Sequence, residues 1–222
     1  MTRRVMVISA HPDDETLGCG GALLRHVQEG CSLHWVIATQ PSEDRYSAEW
    51  RIRRTAEIEA VTAAYPMTST DELGFPAAGL DATLMGDLIE KIRVAVHRIK
   101  PDIIYVVHAG DVHSDHRVVF DATIAVFKPF RIGWPHAIYS FECASSTNLA
   151  APSASNAFLA QYHCDIGDYI ERKLEILSIF ESEVPPAPHP RSIDSVRALA
   201  RYRGTSVSLE YAEAFMLIRQ IS

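Results

Sequence analysis

The sequence lacks an apolar run long enough to cross a membrane, and it lacks an excess of basic residues. Its 21 lysines and arginines are outnumbered by 28 aspartates and glutamates, which gives a formal net charge of −7. Such a charge opposes nucleic acids and anionic lipid surfaces as main partners. The apolar run after Arg3 and Arg4 is too short for a signal peptide and ends in charged residues. We therefore expect a cytoplasmic protein with no nucleic-acid partner and no membrane insertion.

The sequence is also poor in cysteine, and its four cysteines are widely scattered. Cys19, Cys31, Cys143 and Cys164 form no CxxC pair. A disulfide framework or a cysteine-based zinc site would need closely spaced pairs. We interpret the four residues as reduced thiols that pack as small hydrophobic side chains.

Internal repeats, low-complexity tracts and linkers between domains are absent as well. With 47% hydrophobic residues, the chain can bury a substantial core. A length of 222 residues is ordinary for one globular domain. We expect a single domain over residues 1–222.

The sequence does contain a regular alternation of short β-rich apolar runs with longer helical patterns. This alternation is typical of βαβ units, in which helices cover both faces of a parallel sheet. The predicted strands are "RVMVISA", "SLHWVIAT", "TDELGF", "DIIYVV" and "HAIYSFE". The late segment "SLEYAEAFMLIRQI" fits either a strand or a helix. We predict an α/β fold with a Rossmann-like, mostly parallel sheet and the strand order 3-2-1-4-5.

Two polar clusters follow the first and the fourth predicted strands. The first is "HPDD" at residues 11–14, and the second is "HSDH" at residues 113–116. In a doubly wound sheet of this order, strands 1 and 4 are neighbours and ligands bind at their carboxyl ends. We therefore place the active site at the carboxyl ends of strands 1 and 4.

The residue types of these clusters suit a metal-dependent hydrolase. Two imidazoles and one carboxylate, with one coordination position left open, form the ligand set of a catalytic zinc site. A second carboxylate beside them can take the proton of an attacking water. The stretch "HPDDE" supplies both carboxylates, and a divalent cation would offset their mutual repulsion. The alternative for these residues is a hydrogen-bonded histidine–aspartate cluster that caps helices.

A dinucleotide site is a further alternative, because "GCGGAL" follows the first strand. Its glycines come too late after the strand, and Leu23 stands where the third glycine would be. The acidic residues of "HPDDE" would also repel a pyrophosphate. We reject this interpretation and expect the glycines to allow close packing of helix on sheet.

The motifs "AHPDDE" and "HSDH", in this order on such a fold, resemble the PIG-L/LmbE-like zinc deacetylases, which remove acetyl groups from N-acetylated sugars. The pieces "FKPFR", "YSFE" and "RYRGTSVSLEYAEAF" extend the resemblance over nearly the whole chain. The resemblance implies that His11, Asp14 and His116 hold one zinc ion. It also implies that Asp13 is the general base and that His113 stabilises the oxyanion and protonates the leaving amine.

The resemblance implies a supporting role for Asp115, which would orient a histidine ligand. The sequence departs from the family at "FPAAGLD" and at "SSTNLA", where the family often has an acidic or polar residue. Both segments are expected to face the sugar, so these departures concern the identity of the substrate and leave the chemistry intact.

Several other residues have two interpretations. Asp111 either holds His113 or forms a turn. Glu15 fits a first-turn acid favoured by the helix dipole, and Trp50 fits a packing residue. Four arginines have two interpretations: each binds substrate, through hydroxyl groups or a phosphate, or each is a solvated surface charge. These are Arg53, Arg54, Arg131 and Arg203.

We expect one zinc ion per chain and hydrolysis of the N-acetyl group of a small amino sugar, with release of acetate. The alternatives are a metal-dependent amidase acting on another small amide, such as a thiol-sugar conjugate, and a non-catalytic metal- or nucleotide-binding module. The sequence leaves open which sugar is used and whether it is free, nucleotide-linked or lipid-linked. It also leaves open whether the protein forms a homo-oligomer. The ligand types accept iron(II) and cobalt as well as zinc, so the sequence does not decide among these metals.

Overall fold

The computed structural model describes residues 2–130, 132 and 135–221. Its strands are β1 (Arg4–Ser9), β2 (Ser32–Gln40), β3 (Ser69–Pro76), β4 (Ile103–Val107), β5 (Ala137–Phe141), β6 (Tyr162–Asp165) and β7 (Ala212–Gln220). They form one seven-stranded sheet in the order β3-β2-β1-β4-β5-β7-β6. The first five strands are parallel, and β7 is antiparallel to both of its neighbours. The predicted α/β class and the order of the first five strands are confirmed.

The central strands are apolar on both faces, as parallel strands covered by helices must be. In β1, every residue from Val5 to Ser9 is buried. Val7 lies beside Trp35 of β2 on one side and beside Tyr105 of β4 on the other. This register brings the carboxyl ends of β1 and β4 together at one edge of the sheet, where the two polar clusters begin.

The helices are α1 (Asp14–Gln28), α2 (Ala48–Ala64), α3 (Met85–Ile99), α4 (Ser114–Val126), α5 (Ile170–Leu177) and α6 (Ile193–Thr205). On one face of the sheet, α1 and α6 contact β7, and α5 packs against both of these helices. On the other face, α3 and α4 pack together. Tyr65, which ends α2, donates a hydrogen bond to Thr16 of α1, so α2 lies beside α1. Among the described residues, no helix combines the length and the apolar character that a membrane span requires.

Four local features go beyond the sequence-based prediction. The "HSDH" motif lies in the first turn of α4 itself, because that helix begins at Ser114. The ambiguous late segment forms β7, and a short strand that the sequence did not reveal, β6, pairs with it. Helix α1 is interrupted at Cys19, where φ is −140° and ψ is 15°.

Candidate metal centre and active site

The two polar clusters lie side by side at the carboxyl edge of the sheet. Residues 11–13 form the bend between β1 and α1, and residues 113–116 open α4 after β4. The ring centroids of His11 and His113 are 4.5 Å apart, and those of His11 and His116 are 5.4 Å apart. The fold therefore brings together the two segments that the strand order placed at one site.

Three of these side chains can converge on one cation. One ligand atom from each of His11, Asp14 and His116 lies within 4.8 Å of the other two. His116 Nε2 is 3.3 Å from Asp14 Oδ1, and His11 Nδ1 is 3.7 Å from Asp14 Oδ2. Asp14 and His116 are buried, whereas His11 is partly exposed to the cavity. These are the three residues that the resemblance assigned to zinc.

Two further carboxylates fix the orientation of the histidine rings. Asp111 Oδ2 accepts a hydrogen bond from His116 Nδ1 at 2.7 Å, which leaves Nε2 on the side of Asp14. Asp115 Oδ2 accepts one from His11 Nε2 at 3.0 Å, which leaves Nδ1 on that side. Carboxylate–histidine pairs of this kind are typical of metal-binding histidines, because they fix the tautomer of the ring. Asp111 therefore contacts His116, and not His113 as the sequence allowed.

Asp115 also joins the loop after β3 to the site. Its Oδ2 accepts a hydrogen bond from the backbone N–H of Ala78 at 2.7 Å, and its Oδ1 accepts one from Leu80 at 3.1 Å. The side chain is fully buried. A second group with ligand spacing consists of His11, His113 and Asp115. These amide contacts occupy both Asp115 oxygens, so that group is less suited to a metal than the first.

The charges of the first group favour a cation among its side chains. Burial alone would raise the pKa of Asp14, but the charge and hydrogen bond of His116, together with His11, hold that pKa well below its ordinary value. Burial alone would lower the pKa of His116, but Asp14 and Asp111 outweigh it and raise that pKa to about 10. A metal ion would take the place of the proton on His116. Two imidazole nitrogens and a carboxylate oxygen are donors that suit zinc.

His113 is held in a different way from the other two histidines. It occupies the N-cap of α4, where its Nδ1 accepts a hydrogen bond from the backbone N–H of Asp115 at 3.2 Å. The neutral ring then carries its proton on Nε2. Burial and the charges of His11 and His116 lower the pKa of His113 to about 4. The ring is therefore a neutral hydrogen-bond donor, and its Nδ1 is already occupied by the cap.

Asp13 occupies a strained bend at the start of α1. Its φ is 124° and its ψ is −29°, a conformation that a residue with a Cβ adopts only at a cost in energy. Its N–H donates a hydrogen bond to Glu15 Oε2 at 3.1 Å, and its carbonyl accepts one from Leu17 at 2.9 Å. The Asp13 side chain stands at the N-cap of α1 but makes no capping hydrogen bond. The hydrogen bonds to Glu15 and Leu17 therefore hold the backbone of Asp13 in this bend.

The electrostatic surroundings of Asp13 suit a proton carrier. Burial and the nearby carboxylates of Asp14 and Glu183 raise the pKa of Asp13 to about 7, against the opposing effects of Arg191 and His11. Arg191 Nη1 donates a hydrogen bond to Asp13 Oδ2 at 3.1 Å. A carboxyl group with a pKa near neutrality can both take up and release a proton during a reaction.

A network of charged side chains lies around Asp13. Glu183 bridges two arginines, since its Oε1 is 2.5 Å from Arg54 Nη2 and its Oε2 is 2.8 Å from Arg191 Nη1. Arg54 also donates a hydrogen bond to the carbonyl of Pro12 at 3.3 Å. Sequence reasoning missed Glu183 and Arg191, because they lie at either end of the proline-rich stretch "EVPPAPHPR", which contains no recognised motif.

These groups line an open cavity of about 290 Å³. One wall of the cavity carries Tyr46 and Trp50, whose ring centroids are 4.4 Å apart. The guanidinium of Arg54 lies 4.7 Å from the centre of the Trp50 ring. Trp50, which the sequence suggested as a packing residue, is therefore part of the site wall.

The four arginines considered from the sequence have different surroundings. Arg54 lines the cavity, whereas Arg53 is exposed on α2 and does not line it. Arg203 makes two hydrogen bonds of 2.7 Å to Glu142 and is also absent from the cavity wall. Arg131 lies outside the described residues. A structural or solvated role therefore fits Arg53 and Arg203 better than contact with substrate, because neither residue lines the cavity.

Comparisons with known proteins connect this geometry to a family. The family model described as "PIG-L: GlcNAc-PI de-N-acetylase" matches residues 6–127. The uncharacterized deacetylase YaiS of Escherichia coli is 28% identical over 125 residues, which cover 54% of this chain and 65% of that protein. The chain thus spans slightly less than two thirds of the length of this relative.

Two solved structures share the fold. The N,N'-diacetylchitobiose deacetylase of Pyrococcus horikoshii has a TM-score of 0.77 at 19% identity, covering 97% of this chain and 84% of that one. GalB, the 4-carboxy-2-hydroxymuconate hydratase of Pseudomonas putida, has a TM-score of 0.74 at 16% identity, covering 100% of this chain and 98% of that one. Since their named activities differ, the fold alone does not assign a reaction. The family match, however, runs from β1 to the end of α4 and contains both polar clusters, so this chain belongs to the PIG-L (GlcNAc-PI de-N-acetylase) family.

Proposed function

We propose that this protein is a zinc-dependent hydrolase that removes the N-acetyl group from an N-acetylated amino sugar. One observation carries the proposal: two imidazoles and a buried carboxylate meet at the floor of a cavity, beside a second buried carboxylate, that of Asp13. The family description, which names removal of an acetyl group from GlcNAc-PI, supports this reaction class.

His11, Asp14 and His116 would hold the metal. Bound there, zinc would polarise the acetamide carbonyl and make a water molecule acidic enough to lose a proton near neutral pH. Asp111 and Asp115 would keep the two imidazoles in the tautomers that bind a metal.

Asp13 would act as the proton carrier. Its ionised carboxylate takes a proton from the attacking water, whose oxygen forms a bond to the acetyl carbon. Arg191 keeps the carboxylate oriented through its hydrogen bond to Oδ2. When the carbon–nitrogen bond breaks, Asp13 returns the proton to the leaving nitrogen. The products are acetate and a free amino sugar.

His113 would stabilise the oxyanion that forms on the acetyl oxygen. Its neutral ring has Nε2–H available, because Nδ1 accepts the capping hydrogen bond of α4. Burial and the neighbouring imidazoles lower the pKa of His113, which favours its neutral form. A neutral His113 is better suited to donate a hydrogen bond to the oxyanion than to protonate the amine. We therefore assign protonation of the amine to Asp13.

The cavity wall is suited to a sugar. Sugar rings present hydroxyl groups at their edges and apolar C–H groups on their faces. Arg54 can donate hydrogen bonds to hydroxyl groups, and the adjacent aromatic side chains Tyr46 and Trp50 offer an apolar surface. Ala77 and Ala78 in the loop after β3 line the cavity without a polar side chain, which limits how tightly that loop selects hydroxyl groups.

The test is acetate release from a panel of free, nucleotide-linked and lipid-linked N-acetyl amino sugars, with N-acetylated thiol conjugates included. We expect the protein to release acetate and amine in equal amounts from at least one sugar, and a chelator to abolish the release until zinc is restored. Asp13→Asn should keep its metal and lose about a hundredfold or more in kcat. Arg53→Gln, a change at the exposed neighbour of Arg54 on α2 that does not line the cavity, is the matched control and should be fully active.

The outcomes separate the alternatives. Hydrolysis of the thiol conjugates alone would identify an amidase of different substrate class. Metal binding without hydrolysis of any compound would identify a non-catalytic metal-binding module.

A further inference from the structure

The interruption of α1 exposes backbone groups that an unbroken helix would satisfy internally. Cys19 has a non-helical conformation, so the helix consists of a short first part after Asp13 and a longer second part that ends at Gln28. A break leaves carbonyl groups at the end of the first part and N–H groups at the start of the second part without intrahelical partners. In a buried helix, such groups need other partners.

A buried ion pair supplies these partners. Glu213 of β7 accepts hydrogen bonds from the backbone N–H groups of Gly21 at 2.8 Å and Ala22 at 2.7 Å. Lys173 of α5 donates one from its Nζ to the carbonyl of Leu17 at 2.9 Å and another to Glu213 at 2.7 Å. The carboxylate thus faces a helix N-terminus and the ammonium faces a helix C-terminus, which is the favourable arrangement for both charges.

Stability alone does not account for this pair. The side chains of Lys173 and Glu213 are 3% and 4% exposed, and burying two charges costs energy that an apolar pair would avoid. An unbroken helix with apolar neighbours would satisfy the same backbone groups. The break is also tightly enclosed, because a Cβ on Gly20 would lie 2.4 Å from the hydroxyl of Tyr65. The pair is therefore better explained by the geometry that it imposes on α1.

That geometry leads directly to the active site. The carbonyl of Leu17 is held by Lys173, while its N–H donates to the carbonyl of Asp13 at 2.9 Å. Leu17 also lines the cavity. Asp13 has a strained φ of 124°, so its conformation depends on such neighbouring contacts. Leu17 therefore connects the ammonium group of Lys173 to the backbone of Asp13 through two hydrogen bonds.

We propose that Lys173 and Glu213 are positioning residues that fix the first turn of α1, and with it the direction of the Asp13 carboxylate, by terminating the two parts of the broken helix. This inference rests on the proposed function for its catalytic consequence, although its structural consequence stands independently. Loss of the pair should turn the Asp13 carboxylate away from the attacking water and leave substrate contacts at the cavity wall in place.

The experiment compares the zinc-loaded protein with Lys173→Met and with Lys173→Met/Glu213→Gln. The double variant avoids an unpaired buried carboxylate and serves if the single variant does not fold. Glu171→Gln is the matched control, because it removes the ion pair of Glu171 with Arg197 on the exposed side of the same helix, α5. Hydrogen–deuterium exchange over residues 14–18 and 23–27, zinc content, kcat and KM are measured for each.

We expect faster exchange at residues 14–18 with little change at residues 23–27, and zinc content near that of the parent protein. We expect kcat to fall by about tenfold to a hundredfold, the scale of a misplacement of about 1 Å, with KM within about twofold. Glu171→Gln should change none of these. Unaltered exchange at residues 14–18 in a folded variant, or equal loosening of both parts of α1, would overturn the proposal. If the parent protein hydrolyses no sugar, the exchange measurement alone tests whether the pair fixes the first turn of α1. Failure of the proposed function is therefore distinguishable from failure of the proposed positioning role.

Discussion

The floor and the rim of the site are built in opposite ways. We call His11, Asp13, Asp14, His113 and His116 the floor, since they come from two short stretches at the ends of neighbouring strands. We call Arg54, Glu183 and Arg191 the rim. Arg54 and Glu183 are 129 positions apart in the chain and meet only because the segment after α5 returns to α2. Floor geometry therefore follows from the pairing of two neighbouring strands, whereas rim geometry depends on the course of the chain after α5.

The two regions also differ in how much each charge depends on its neighbours. Asp14 is almost fully enclosed and shares both neighbouring histidines, so removing it leaves a buried positive group without its partner. In the rim, the side chain of Arg191 is 25% exposed and that of Glu183 is 23% exposed, so water can replace part of what a substitution removes. We expect substitution of Arg191 or Glu183 to have smaller effects than substitution of Asp14.

The largest effect should come from Asp14→Ala. This variant should lose most of its zinc and fall to background activity, because a three-residue site cannot spare its only carboxylate. Zinc content is measured by elemental analysis after dialysis, and excess zinc should rescue activity only partly. A Cys31→Ser background excludes any metal held by the separate group of His26, Glu29 and Cys31. Equal loss of zinc in Asp13→Ala would show that the two adjacent aspartates do not have separate roles.

The next largest effect should come from His113→Ala. Zinc content should stay near one per chain, while kcat falls by about a hundredfold, the usual result of losing an oxyanion donor. Steady-state kinetics and metal analysis on one preparation check both parts. If the variant lost its metal and His116→Ala kept it, the roles of these two histidines would be reversed.

A smaller effect should follow from Arg191→Gln in the rim. This change removes the hydrogen bonds to Asp13 and Glu183, and we expect kcat/KM to fall by about tenfold, as for one charge-assisted hydrogen bond. Zinc content should not change. Arg53→Gln removes the same charge from an exposed position and should have no effect. An equal loss in both variants would mean that net charge, and not the contact with Asp13, is responsible.

The smallest effect concerns a histidine far from both regions, and it tests stability instead of activity. Burial and the charge of Arg98 lower the pKa of His34 below its ordinary value of 6.5. His34 therefore binds a proton more readily in the unfolded chain than in the folded one, and its contribution to the free energy of unfolding decreases as the pH falls below 6.5. Thermal unfolding at several pH values should show a shallower decrease for His34→Gln. An identical slope in both proteins would contradict this assignment.

The sequence predicts the floor of the site but not its rim. The alternation of apolar runs was sufficient for β1 to β5 and their order, and "HPDD" with "HSDH" was sufficient for the floor. Strand β6 has only four residues, which is too short for a repeating pattern, and it exists because β7 provides an edge. The contacts of Arg191 with Asp13 depend on a proline-rich segment whose course no local pattern determines.

Two side chains illustrate the same limit. The sequence leaves Asp111 either as a partner of His113 or as a turn residue, whereas in the fold Nδ1 of His113 accepts the helix-capping hydrogen bond and Asp111 contacts His116. The sequence favours Trp50 as a packing residue, whereas in the fold Trp50 lies beside Tyr46 and lines the cavity. The sequence of α2 does not show which part of the helix borders the cavity. Each depends on which neighbours occupy a side chain, and that is a property of the assembled fold.

The contacts of Asp115 have a consequence for how this site can change during evolution or in the laboratory. Asp115 holds the loop after β3 through the backbone N–H groups of Ala78 and Leu80, and it holds His11 with the same carboxylate. Because those contacts use only backbone groups of the loop, Ala77 can be exchanged while the loop stays anchored to the histidine, whereas the φ of 53° at Ala78 limits which residues fit there. New polar groups can thus be introduced at the cavity wall without redesign of the metal centre, which makes this loop a natural place to alter substrate preference.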